Sequence, residues 1–428
     1  MKRNPTLAAL FSGALFFNCS GEQPVPPLSS APATVLNRVE GQWPQWRGVN
    51  RDGISEESGL LAEWPQQGLP VLWKVAGGDG FSSLAVSDGK VYTFVDHDNT
   101  EWAVCLKADS GEELWKVSTS STFEDPQGGD GARSTPTVDG SKVYFLGANG
   151  ALLCLDKKTG ETLWQRNILK DFNAPKLHWG VSSSPLVEGD LLLVNVGAPE
   201  ASVVAFQKTT GEVVWKAHDD VAGYASPLAV TVEGIREIVF FGGKSILGVS
   251  PKDGKLHWRQ EWLTTSDMNI ATPIFSDPFL FISSGRGTGS GLLRLSREGD
   301  SVSAEVLWTK KLMQNHYNGC ILVGDYLYGF DNSILKCMRL EDGEEMWADR
   351  SVGKGSLIAA QGHLFILGEQ GDFAMAKATP EGYQELGHMK ILDYKSWTPP
   401  SLAGGRLYLR DQHNIVCLDL RKVSPEGT

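Results

Sequence analysis

The chain has 428 residues, with 51 acidic side chains against 39 basic ones and a formal charge of −12, a field that repels nucleic acid and anionic lipid head groups. With 48 Gly, 21 Pro and 14 Trp but only 21% charged residues, its composition favours short strands and many turns over helices. No stretch has eighteen uninterrupted apolar residues, which excludes a polytopic membrane protein.

At the N-terminus, Lys2 and Arg3 precede an apolar run, TLAALFSGALFF (6–17), of secretory-signal length. Residues 1–19 read as a signal peptide. Its end, Phe16-Phe17-Asn18-Cys19, resembles a bacterial lipoprotein processing site, which would make Cys19 the lipidated first residue of the mature chain; simple secretion is the alternative. A Pro/Ser-rich tract follows, so residues 20–40 are expected to be a flexible linker. Residues 41–70 form a leader that includes WPQWRGVNRDGIS (43–55), with two tryptophans beside turn formers and almost no apolar periodicity. This pattern predicts a segment that caps one face or rim of the following domain, with Arg47 pairing locally. A ligand-gripping role for Trp43 and Trp46 is the alternative.

From residue 71 the chain repeats. SGEELW, TGETLW, TGEVVW, DGKLHW and DGEEMW each place Gly four residues before Trp, and EGDSVSAEVLW is a longer copy with five inserted residues. The tryptophans are Trp115, Trp164, Trp215, Trp258, Trp308 and Trp347, and Trp73 in VLWKV precedes them. A seventh unit, TPEGYQELGHM, keeps the glycine but has Met389 where Trp would fall. Upstream of each such motif lies a short β-rich run, a turn and another β-rich run, a hairpin signature. Two more strand-like segments complete each unit, and four strands per 40 to 50 residues describe a β-propeller blade.

Ser83, Ser134, Ser183, Ala225, Ala271, Asn318, Ser356 and Thr398 head eight first strands. Pro136, Pro185, Pro227, Pro273 and Pro400 share one column there, which makes the first strand a sheet edge and hence the innermost strand of its blade. The eighth unit ends at IVCLDLR without a fourth strand, and VLWKV supplies it from the N-terminal side. The fold class is therefore all-β: an eight-bladed propeller of four-stranded antiparallel blades over 71–422, closed by an N-terminal strand completing the last blade. Trp73, Trp115, Trp164, Trp215, Trp258, Trp308 and Trp347 are expected to fill the wedges between blades. Cys105, Cys154, Cys337 and Cys417 recur in one context and, with Cys320, read as small buried apolar residues.

The clearest unit, LDKKTGETLW (155–164), resembles the PQQ-like, or quinoprotein-type, propeller repeat, and the resemblance covers about residues 71–420. Two branches share that repeat. One comprises enzymes that oxidise alcohols or sugars with pyrroloquinoline quinone (PQQ) and Ca²⁺; the other comprises non-enzymatic BamB-like envelope lipoproteins. The methanol-oxidising enzymes carry adjacent cysteines, and none occur here. The resemblance thus implies a monomeric binding or scaffold propeller in the periplasm or at the outer membrane, held to the membrane by a lipid anchor alone. Envelope proteins, a peptide or a sugar would be its partners. No cofactor and no metal site are predicted; PQQ and Ca²⁺ belong to the dehydrogenase alternative.

Residues just before each first strand should ring one channel mouth: Phe81, Arg133, Trp179, Tyr224, Asn269, Tyr317, Lys354 and Trp397. Aromatics, an amide and cations in one ring suit a peptide, sugar or flat ligand; packing of loops is the alternative. No catalytic residue is assigned. Asp96-His97-Asp98-Asn99-Thr100-Glu101 lacks the glycine and distal glutamate of a calcium loop and reads as a solvated hairpin tip. His178 and His316 both precede first strands, yet two histidines without a third ligand make no metal site.

Overall fold

A computed structural model describes Met1 and residues 41–422; the proposed signal peptide, Cys19 and the 20–40 linker lie outside the described residues. Eight antiparallel four-stranded sheets follow one another along the chain. Blades 1 to 7 span 85–121, 137–167, 186–217, 228–261, 274–310, 321–349 and 355–390. Blade 8 takes three strands from 401–419 and its outermost from Val71–Ala76, with Trp73 opposite Cys417. Closure by the N-terminal strand therefore occurs as the repeat predicts, and no sheet is left one strand short.

Each blade runs from an inner strand to an outer one, which in all but blade 7 carries the tryptophan. Opposite the indole, across the outer pair, stand Cys417, Cys105, Cys154, Ala205, Gly248, Leu292 and Cys337. Most are small, because the ring folds over this position. That accounts for the four recurrent cysteines, which like Cys320 are free and buried.

The indoles link blade to blade. Trp73 donates its ring N–H to the carbonyl of Ala108 in blade 1 (3.0 Å), Trp115 to Lys157 in blade 2 (3.3 Å) and Trp164 to Lys208 in blade 3 (3.1 Å). Trp215 to Pro251 (2.9 Å), Trp308 to Glu341 (3.0 Å) and Trp347 to Thr379 (2.8 Å) repeat the arrangement. The glycine of the next blade's motif lies beneath the ring. A Cβ at Gly111, Gly160, Gly211 or Gly254 would come within 2.8 Å of the preceding blade's indole, and each of these glycines has a φ between 71° and 77°. The motif glycine thus serves both its own turn and its neighbour's tryptophan.

The fit is looser under Trp308, whose ring a Cβ at Gly343 would approach to 3.3 Å, and Gly382 has nothing within 4 Å; two further boundaries depart for identifiable reasons. In blade 5 the inserted residues lengthen the outer hairpin to Gly289–Glu298 and Ser301–Lys310, which carries Gly299 away into open space. Trp258 then has no glycine to lie on and donates to both carboxylate oxygens of Glu237 in its own blade, at 3.1 Å. Blade 7 has Met389 in place of Trp. The leader's Trp64 fills the gap, stacked on Phe373 and so close to Gly387 that a Cβ there would lie 1.9 Å from the ring.

Residues 43–57 of the leader do not lie on a face or rim, as the sequence predicts, but run through the central channel and touch the inner side of every blade, and residues 60–64 then pass outward along blades 7 and 8. Trp43 exchanges two backbone hydrogen bonds with Val86 of blade 1, both 2.8 Å, and the Pro44 carbonyl accepts from Val138 of blade 2. Arg51 donates to carbonyls of Ser184 and Pro185 in blade 3 and Pro227 in blade 4. The Trp46 indole donates to Thr272 of blade 5 (2.8 Å), and Arg47 donates to Cys320 of blade 6. Ile54–Ser55 adds a fifth, parallel strand to blade 7, and Glu57 accepts from Gly404 and Gly405 of blade 8. Arg47 also finds a local acceptor, the Asp52 carbonyl, so its predicted local pairing is half of what it makes. The reason is the inner edge itself: eight short strands present unpaired carbonyls to the channel, and two guanidiniums satisfy several at once.

Two consequences are measurable. Gly211→Ala should destabilise the protein by roughly 3 kcal/mol, through both positive φ and the Trp164 clash, and Gly299→Ala by about 1 kcal/mol through φ alone; urea unfolding separates them. Trp43 is only 1% exposed, so Trp43→Ala should cost roughly 3 to 5 kcal/mol in the same measurement, whereas an unchanged midpoint would show the leader to be dispensable.

Candidate functional site

The segments that precede the inner strands converge on the channel mouth and are tied to one another across blade boundaries. Phe81 donates its backbone N–H to Ala132, and Tyr224 to Asn269, both at 2.8 Å. Thr398 donates its hydroxyl to the Phe81 carbonyl (2.9 Å), and the Asn318 amide donates to the Trp397 carbonyl (3.0 Å). This ring of loops encloses a cavity of about 230 Å³. The leader's Trp46 closes it below, so the channel is a blind funnel rather than a pore.

Of the eight ring residues named from sequence, Phe81, Arg133, Trp179, Tyr224, Tyr317 and Trp397 line the cavity. Asn269 does not. It is fully buried and its amide donates to the carbonyls of Gly242, Gly243 and Trp262, while its oxygen accepts from Ser284. Lys354 stands behind the lining, 4.6 Å from the Tyr317 ring centroid, with its ammonium 2.6 Å from Nδ1 of His316. The seven docking tryptophans lie elsewhere, on the outer strands of their blades.

One wall is a stack of rings: Phe81 on Trp397 at 5.2 Å and Trp397 on Tyr317 at 5.1 Å, the latter pair 24° from parallel. Lys395 lies over the Trp397 ring at 4.5 Å and donates to the Gly128 carbonyl. Glu369 fixes the stack from behind, accepting from the Trp397 indole (2.9 Å) and the Tyr317 hydroxyl (3.5 Å). Across the cavity, Trp179 meets Tyr224 edge to face at 5.7 Å and carries the guanidinium of Arg286 at 5.4 Å. Arg133 is held by Asp125 (3.0 Å) and by the carbonyls of Gly129 and Gly131. Burial, then the charges of Lys354 and Arg286, push the His316 imidazole down to about 4, so it is neutral near pH 7.

A family model described as outer membrane protein assembly factor BamB matches residues 65–171 and 99–349. The chain belongs to this PQQ-like propeller family. Among solved structures, BamB from Moraxella catarrhalis matches this PQQ-like propeller with 15% identity and a TM-score of 0.58, over 82% of this chain and 99% of that one. The computationally designed protein Ika8 matches with 11% identity and a TM-score of 0.57, over 84% of this chain and 100% of that one. A quinohemoprotein alcohol dehydrogenase from Comamonas testosteroni matches with 10% identity and a TM-score of 0.53, over 91% and 82%. At such identities the likeness is one of fold. No curated protein matches the propeller in sequence.

Several lining residues escape the repeat-based reading: Trp46, Asp125, Met268, Arg286 and His316. Arg286 sits at the tip of the Gly-rich hairpin GRGTGSG, on the far side of the second strand from the ring position, and Trp46 reaches the cavity only through the leader's path. Aromatic and cationic residues in loops flanking a ring position were the available signal. The 96–101 stretch is a solvated tip only at His97, Asp98 and Asn99; Asp96 is 3% and Glu101 0% exposed. Both point back between blades 1 and 2, where Glu101 accepts from Thr119 (2.6 Å) and from the Ala148 backbone (3.1 Å). His178 packs edge-on against Trp179 outside the lining, and among the described residues no group of three His, Cys, Asp or Glu side chains could hold a metal ion.

His316 offers a direct check on the funnel's charge. Its ring should titrate near pH 4 by NMR, gaining its proton only as pH falls far below the usual 6.5. Lys354→Met should raise the midpoint without restoring 6.5, since burial persists.

Proposed function

We propose that the protein is a non-enzymatic binding or scaffold propeller of the bacterial cell envelope, which takes a ligand or a partner's side chains into its funnel. The observation that carries this reading is the convergence of five aromatic residues from different blades, Phe81, Trp179, Tyr224, Tyr317 and Trp397, onto one cavity floored by Trp46. Buried aromatic side chains that serve packing alone do not require a cavity between them, and aromatic-lined concavities with a few polar groups are the usual form of a binding site. Family membership supports the scaffold class and the envelope setting, because the matching family is described by an outer-membrane assembly factor. The lipoprotein-like sequence around Cys19 supports attachment by a lipid anchor.

The dehydrogenase reading fares less well against the residues of the site. A calcium-bound quinone needs uncommitted oxygen ligands. At the funnel, Asp125 is engaged by Arg133 and by the backbone of Gln127 and Gly128, and Glu369 by Trp397 and Tyr317. What remains, Glu369 Oε1 and the Asn318 oxygen, is too small a donor set for a Ca²⁺ ion.

A photo-crosslinking residue at Gln127, on the funnel lining, and another at Asp109, on the opposite face, test the proposal in envelope preparations. Capture at 127 that is lost on Trp179→Ala is expected. Capture confined to 109, or dye reduction by alcohols after addition of PQQ and Ca²⁺, would overturn it.

A further inference from the structure

The funnel's charge runs against that of the chain. On a protein of net charge −12, the cavity itself is lined by Arg133 and Arg286 against the carboxylate of Asp125, with Lys354, Lys395, Glu369, Asp130 and Asp267 behind the lining. Most of these groups are committed. Arg133 is spent on Asp125, and Lys395 donates to a backbone carbonyl. Glu369 accepts from two ring donors. Arg286 differs: its guanidinium is exposed, rests on Trp179, and has no acceptor among the described residues. Next to it His316 accepts from Lys354 at Nδ1, which leaves its second nitrogen as an N–H donor. Two donors of positive or neutral character, with no carboxylate hydrogen-bonded to either, mark a place for an anionic group.

The rest of the cavity restricts what carries that anion. Phe81, Trp397 and Tyr317 already stack on one another at 5.1 to 5.2 Å, so no slot between parallel rings is open to a planar guest. The main chain around the mouth is bound blade to blade, at Phe81, Tyr224 and Trp397 among others, which removes the sheet edge that an extended peptide would need. What is left for hydrogen bonding is side-chain material, the Gln127 amide and the Asn318 oxygen, set among indole faces. A puckered ring with apolar C–H faces, hydroxyls at its rim and one carboxylate matches that set.

We propose that the funnel binds an acidic saccharide, a uronic-acid unit whose carboxylate meets Arg286 and His316 while its ring rests on the indoles of Trp46 and Trp179. This inference rests on the funnel being a binding site at all. Calorimetric titration of the purified protein with trigalacturonate and trimannuronate, with their methyl esters, and with 2-naphthoate as a planar anion separates the two ideas. Binding of a triuronate at least tenfold tighter than its ester is expected. Arg286→Gln, at an exposed hairpin tip, should abolish that tenfold preference without shifting the thermal midpoint. Equal binding of acid and ester, or binding of 2-naphthoate alone, overturns the saccharide inference and leaves the funnel reading standing. No heat from any probe overturns the saccharide inference, while the funnel reading falls only if capture at residue 127 also fails.

Discussion

An indole can lie flat on a polypeptide turn only where the turn has no Cβ. Four of the eight blade boundaries are built on that fact, and at six the tryptophan of one blade donates its ring N–H to a carbonyl in the next. One contact buries a large apolar surface, satisfies a polar atom and fixes the angle between sheets. Where the hairpin of blade 5 is too long to offer its glycine, Trp258 turns to a buried carboxylate instead. Where blade 7 lacks the indole, the leader brings one from outside the repeat.

The leader also decides what the central channel is. Eight inner strands leave their edges facing one another, and an empty bore would expose a ring of backbone groups to trapped water. Arg47 and Arg51 meet those carbonyls, and burial alone pushes the Arg51 guanidinium down to about 9, still protonated at neutral pH. The charge is dispersed over carbonyl dipoles rather than paired with a carboxylate. A blind funnel results, and its floor is an indole face.

The architecture was legible because the repeat carries its own physics. Gly-x-x-x-Trp, the proline column and the missing fourth strand of the last unit are local patterns with a geometric meaning, and they suffice for the ring and its closure. Six of the eight mouth residues follow from the same periodicity. Asn269 misled because an amide beside the mouth can equally hold the backbone of its own blade, and periodicity does not report direction. Arg286 was hidden for the opposite reason, since it lies off the repeating column in a hairpin tip, and His316, noticed only as a metal-ligand candidate, lies one residue before its ring position. The leader's path was illegible too. Its partners are main-chain carbonyls, which have no sequence signature.

The distances along the chain that the leader spans bear on how the molecule comes together. Trp46 meets a residue 226 positions later, Arg47 one 273 later, and Glu57 contacts residues about 347 later. Blades 1 to 6 are local objects, each assembled from one contiguous stretch, whereas the leader, which meets blade 1 early, completes its contacts with blades 6 to 8 only when the last stretch exists. Loop closure of that span is entropically costly and slow. The ring therefore stays open until blade 8 is made, and ring closure and the completion of channel filling become one late event.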